Sequence, residues 1–238
     1  MKASFPFPLA PDTILHKRAE ILARLLTADE EFSRIPICGI SQKTLDMLLA
    51  MYDASFLNGV LKCVNIQVTL SPRLTSSAGK FVYTRGVFGR IKTAEIRMSG
   101  DFLLRLNQGL FELNGLTVAT PQEAFLLVFE HELCHAAETV LYGKTGHSSR
   151  FLHLANGLFG HTATRHRLPT RRHEAAQNGL LVGTSVFFSY KGRTLTGTVT
   201  YIGKMATVMV PSSQGEYRDR RGRRYTKYRM PLDHLTMC

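Results

Sequence analysis

Two histidines flank a glutamate in His131-Glu132-Leu133-Cys134-His135, and their spacing decides what they can do. On a helix, residues four apart differ by about 40° in azimuth and about 6 Å in height, so both imidazoles reach one ion. A zinc ion, held at about 2 Å from each nitrogen, fits that gap. Glu132 then stands near the open position of the site, where it takes a proton from water and delivers it to a leaving group. Three protein ligands plus water make a catalytic site, whereas a structural zinc is closed by four protein ligands, usually including cysteine. The HExxH spacing therefore points to a zinc-dependent hydrolase, and to a peptidase first of all.

The third ligand must come from elsewhere. The best candidate is His147 in Gly146-His147-Ser148, just past a helix stop at Gly143, because two glycines let the chain turn back toward the metal. His153 is the alternative. Glu138 shares the helical face of His131 and His135 but would crowd the same side. Glu138 and Tyr142 continue that face and suit either support of the ligands or ordinary packing. Cys134 is rotated away from the ion and is expected to pack.

The motif needs a rigid helix, and Thr120-Pro121-Gln122-Glu123 supplies a capping-box start for one running to Tyr142. Apolar spacing predicts further helices over 12–28, from Ser41 to Asn58-Gly59, over Phe102 to Leu113, and from Ser148 or Ser149 through Phe159. Period-two alternation predicts strands at 64–70, 80–84 and 94–98. From His161 to His173 the arginines around Leu168-Pro169-Thr170 suggest an exposed basic connection. Beyond it, short β-rich runs at 184–190, 194–202 and 206–210 suggest a small barrel. The expected organisation is α+β over 1–168, a basic linker at 169–178 and a small all-β domain over 179–238.

The chain has 238 residues, enough to bury a core without disulfides, and its four scattered cysteines contain no CxxC pair. A reducing, cytoplasmic setting fits this usage. Met1-Lys2 and the apolar stretch broken by Pro6 and Pro8 do not resemble a signal peptide, and no segment approaches a membrane span. Thirty Lys plus Arg against eighteen Asp plus Glu give a net charge of +12, which favours polyanions. Arg218, Arg220, Arg221, Arg223, Arg224, Lys227 and Arg229 interleave with Tyr217, Tyr225 and Tyr228, so guanidinium groups can meet phosphates while rings stack on unpaired bases.

Together, His131-Glu132-Leu133-Cys134-His135 and the later Gly146-His147-Ser148-Ser149-Arg150-Phe151 resemble the HExxH and GHGxxF pattern of the SprT/Spartan family of zincin-like metallopeptidases. Val68 to Leu74, Ala78-Gly79 and Ala94 to Ser99 resemble the strand pair ahead of that family's helix, so the likeness covers roughly residues 60–160. It implies a zincin-like domain, zinc held by His131, His135 and His147, Glu132 as base, and a substrate class of proteins bound or crosslinked to DNA, single-stranded or damaged. Two departures stand out: Ser148 replaces a glycine, and the four-cysteine zinc ribbon of some relatives is missing. In its place Val182-Gly183 to Pro231-Leu232 resembles the SH3-like barrels appended to some bacterial relatives. The rival expectations are a nucleic-acid-binding protein with a structural or inactive metal site, and a metallohydrolase acting on a smaller substrate.

Overall fold

The structure, a computed structural model, describes residues 7–168 and 171–238. The readings at Met1, Lys2 and Pro6, and at Pro169-Thr170, lie outside the described residues. The chain divides into two compact units, Met1–Leu168 and Pro169–Cys238, each with its own apolar core.

The first unit opens with α1 (Pro11–Ala28), which buries Ile14, Ile21 and Leu25 on one stripe. A single turn, α2 (Glu30–Ser33), follows. The Ser41 hydroxyl accepts the Thr44 N–H to start α3 (Gln42–Leu57), and Asn58 ends it in the left-handed region. Three strands come next: β1 (Ile66–Ser71), β2 (Gly79–Arg85) and β3 (Ile91–Ser99). They form a mixed sheet of order β1-β3-β2, with β1 parallel and β2 antiparallel to β3. β2 is thus an edge strand.

The helix expected over Phe102 to Leu113 is not there. Only α4 (Gly100–Leu103) forms, followed by a hairpin of β4 (Phe111–Leu113) and β5 (Leu116–Val118). The turn between them is Asn114-Gly115, with φ values of 55° and 80°, a pairing that matches the right-handed twist of two short strands. Gly115 is needed for space as well as for φ, because a Cβ there would sit 1.9 Å from the Thr162 hydroxyl.

Helix α5 (Pro121–Tyr142) starts at a complete Thr120/Glu123 capping box and stops at left-handed Gly143. It packs against β2, β3 and α6 (Ser149–Phe159), which is capped by Ser148, and is buried along almost its whole length. Charge inside this core is satisfied by a network on Glu130. Arg18 grips that carboxylate at 2.7 and 2.8 Å, the Tyr52 hydroxyl donates at 2.8 Å, and His161 Nε2 lies at 2.9 Å. Burial opposes the charge on Glu130, yet Arg18 and His161 hold it below the usual carboxylate range.

The stretch from His161 is therefore no exposed connection. His161 is fully buried, β6 (His166–Arg167) pairs with β4 in a sheet of order β5-β4-β6, and Leu168 is buried in the first core. Within the expected linker, α7 (Arg171–Gln177) forms and buries Ala175 in the second core. A single buried apolar residue thus seats a segment whose composition looks like a loop.

The second unit continues with β7 (Ser185–Tyr190), β8 (Arg193–Ile202), β9 (Met205–Pro211), β10 (Tyr217–Arg218), β11 (Arg224–Pro231) and β12 (Thr236–Met237). They make an antiparallel sheet of order β10-β11-β9-β8-β7-β12 around Val186, Phe188, Val199, Val208 and Met230. The architecture is α+β, and no helix among the described residues is long and apolar enough to cross a membrane.

Arg18→Ala leaves the fully buried Glu130 without its strongest counter-charge and is expected to lower unfolding free energy by about 3–5 kcal/mol. Chemical denaturation measures it, and a loss below about 1 kcal/mol would show that Tyr52 and His161 alone satisfy the carboxylate.

Candidate metal centre

His131 and His135 project from successive turns of α5, and His147 comes back to them from the loop between α5 and α6. Their Nε2 atoms converge, with His131 to His147 at 3.0 Å and His135 to His147 at 3.2 Å. All three ligand atoms lie within 4.8 Å of one another, running from buried His131 through half-buried His135 to exposed His147. The centre thus opens to solvent on the His147 side.

Burial first, and then the neighbouring imidazoles of His166, His135 and His147, push His131 down to about 2. Burial and His147 push His135 down to about 4. Both rings are therefore neutral near pH 7, with lone pairs available. Three imidazole nitrogens brought together at one point fit a divalent cation, toward which each ring can turn a lone pair. The donor set contains no thiolate: Cys134 is fully buried, and burial, reinforced by Glu130 and Glu138, raises its thiol well above its ordinary value.

Phe151 explains why an aromatic residue follows His147 at this distance. Its ring lies 5.1 Å from His131, 4.4 Å from His135 and 5.2 Å from His147, so one fully buried side chain forms a common apolar floor. His153, the other candidate ligand, is exposed and meets Phe7 instead.

The loop carrying His147 is held from beneath by Glu138. This fully buried carboxylate accepts the Gly146 N–H at 3.1 Å and Arg150 Nε at 2.8 Å, and Arg150 lies 4.5 Å above the Tyr142 ring. Burial opposes the charge on Glu138, but Arg150, Thr145 and Gly146 bring it below its ordinary value. Thr145 also meets His135 Nδ1 at 2.7 Å, which orients that ring. Glu138 is accordingly a support of the loop, and Tyr142 serves through Arg150.

Glu132 faces the edge strand β2. Burial pushes its carboxyl up to about 7, partly offset by the Phe81 N–H. Gly79 makes this approach possible: a Cβ there would stand 2.7 Å from Glu132 Cγ and 2.8 Å from Oε1. A nearly buried carboxylate poised near neutrality suits proton transfer to and from a neighbouring group.

Sequence reasoning missed His166. Its ligand atom falls within 4.8 Å of those of His131 and Glu132, and its ring centroid is 4.8 Å from that of His131. Burial, with help from His161 and His147, lowers it to about 4. A two-residue strand is too short to leave an alternation, so only the Asn114-Gly115 turn could have hinted at the sheet that carries it.

In the second unit, Arg218, Arg220, Arg221, Arg223, Arg224, Lys227 and Arg229 are all exposed around β10 and β11. Arg223 is already paired with Asp219 at 2.8 Å, and Asp219 also accepts the Tyr225 hydroxyl at 3.2 Å. Tyr228 is half-buried and packs on Phe188 and Tyr190. Tyr217 is the exposed one of the three, and Lys227 lies over it.

Glu138→Ala should release the loop without removing a ligand, so zinc affinity is expected to fall about 10–100-fold. Competition with a chromophoric chelator measures it; unchanged affinity would mean that the loop holds itself.

Neither the curated proteins nor the solved structures give a significant match. Residues 45–173 match the model of the SprT-like family. That span contains the whole of α5, the loop with His147 and the return strand with His166. It covers more than half of the chain, which belongs to the SprT-like family.

Proposed function

We propose that this protein is a zinc-dependent endopeptidase acting on proteins held on nucleic acid, with a zincin-like first unit and an SH3-like barrel as its second. The observation that carries the reading is the convergence of His131, His135 and His147 beside a near-buried Glu132. These three would hold the ion, and imidazole ligands suit zinc. When bound, zinc would supply Lewis acidity, polarising the scissile carbonyl and making water easier to deprotonate.

The chain's own groups do the rest. Glu132 accepts the proton of the attacking water and returns it to the departing amine. The outer edge of β2, adjacent to Glu132, offers backbone groups to an extended substrate strand. The exposed positions Arg218, Arg220, Arg221, Arg224, Lys227 and Arg229, with Tyr217 as a stacking face, support contact with single-stranded or damaged DNA through phosphates and unpaired bases. The four unpaired cysteines agree with action in the cytoplasm, on the nucleoid if the cell is bacterial.

Glu132→Gln is expected to keep zinc and to lower cleavage of a DNA-bound protein by about 10³-fold; full activity would refute the assigned role. Replacing Arg220, Arg221 and Arg224 with alanine should weaken single-stranded DNA binding and flatten its salt dependence, with a slope change of about 0.7 per lost phosphate contact. DNA affinity without turnover by the parent protein would instead favour a binding protein with an inactive centre. Hydrolysis indifferent to DNA would favour a metallohydrolase of another substrate.

A further inference from the structure

His166 stands apart from the three converging imidazoles yet belongs to their surroundings. Its ligand atom groups with those of His131 and Glu132, whereas His135 and His147 group with His131 and with each other. An imidazole placed this way falls outside the grouping of the triad and shares only His131 with it. It lines the side of the centre on which Glu132 works.

The backbone that delivers it is fixed. His166 pairs with Leu113 across β6 and β4, and Asn114 N–H donates to the Arg165 carbonyl at 2.8 Å. The Asn114 carbonyl accepts the N–H groups of Thr162 and Ala163, both at 2.9 Å. The Asn114 side chain in turn donates to the Leu127 carbonyl at 2.8 Å, one turn of α5 before His131. The return segment, the hairpin and the ligand helix are therefore locked to one another. Despite this, buried Nδ1 of His166 has no hydrogen-bond partner among the described residues. Nδ1 of His131 and of His161 is likewise unpartnered, so what sets His166 apart is its place beside Glu132 and His131.

We propose that His166 is a further catalytic residue, donating a hydrogen bond to the substrate carbonyl oxygen as negative charge develops there, from the same side as Glu132. The inference rests on the peptidase reading above. A donor held by a rigid sheet reorganises little during reaction, which is what makes such a bond effective in the transition state and weak in the ground state.

The test uses the full chain loaded with cobalt(II) in place of zinc, a peptide substrate, and a phosphinic peptide whose oxygens mimic the tetrahedral state. His166→Ala should bind cobalt with an affinity within about threefold of the parent and with an unchanged visible spectrum, since no ligand is removed. Its kcat should fall about 100-fold with little change in KM, and its affinity for the phosphinic peptide, followed by the cobalt spectrum, should fall by a similar factor. His166→Gln, which keeps an N–H donor, should recover part of both losses and unfold at the parent's temperature.

Loss of cobalt affinity by tenfold or more in both variants would make His166 a ligand and overturn the proposal. Unchanged kcat and phosphinic-peptide affinity would reduce it to packing. The phosphinic titration needs no turnover: a parent that binds the probe through His166 but cleaves nothing sinks the peptidase reading and the catalytic role with it, and keeps His166 only as the donor to the tetrahedral oxygen. A parent that binds no probe counts against His166.

Discussion

Three imidazole nitrogens crowd one point, with His147 3.0 Å from His131 and 3.2 Å from His135, a spacing that suits a shared cation. Much of the first unit can be understood as the means of enforcing that crowding. The capping box and Gly143 fix the ends of the helix that bears two of the rings. Glu138, itself charged and fully buried, draws the loop of the third ring toward them. Phe151 keeps the rings from collapsing onto the helix. Each of these is a stability choice whose benefit appears only when a cation closes the arrangement, since metal binding is coupled to the order of its ligands.

The second polar burial in this core has a different character. Glu130, directly before His131, is fully satisfied by Arg18, Tyr52 and His161, so it joins α1, α3, α5 and the chain after α6 without leaving a reactive group. Adjacent residues of one helix thus carry opposite strategies: a carboxylate held charged by partners, and a histidine held neutral by burial. Helix periodicity makes this possible, because neighbours in sequence point about 100° apart.

Where local rules act alone, the sequence could be read closely. Helices at Pro11–Ala28, Gln42–Leu57, Pro121–Tyr142 and Ser149–Phe159 follow from caps and apolar spacing, and the strands around Ile66, Lys80 and Ala94 follow from alternation. His131, Glu132, His135 and His147 could be named because the helical period relates the first three and a glycine-flanked loop admits the fourth. Reading failed where long-range partners decide. Phe102 to Leu113 looks helical by spacing, but the Asn114-Gly115 turn commits its last three residues to a hairpin. His161 and His166 sit among arginines and look solvated; a partner 31 residues away buries the first, and a strand across the sheet half-buries the second. Composition cannot report a contact whose other half lies elsewhere in the chain.

The nearly complete burial of α5 unites two roles that many enzymes separate, since the strut of the core is also the bearer of the chemistry. A change chosen to retune reactivity on this helix will disturb packing as well, and repacking around it will shift the reacting groups. Laboratory evolution toward new specificity should therefore find little freedom between Pro121 and Tyr142, and accumulate its tolerated variation at solvent-facing positions of the neighbouring loops.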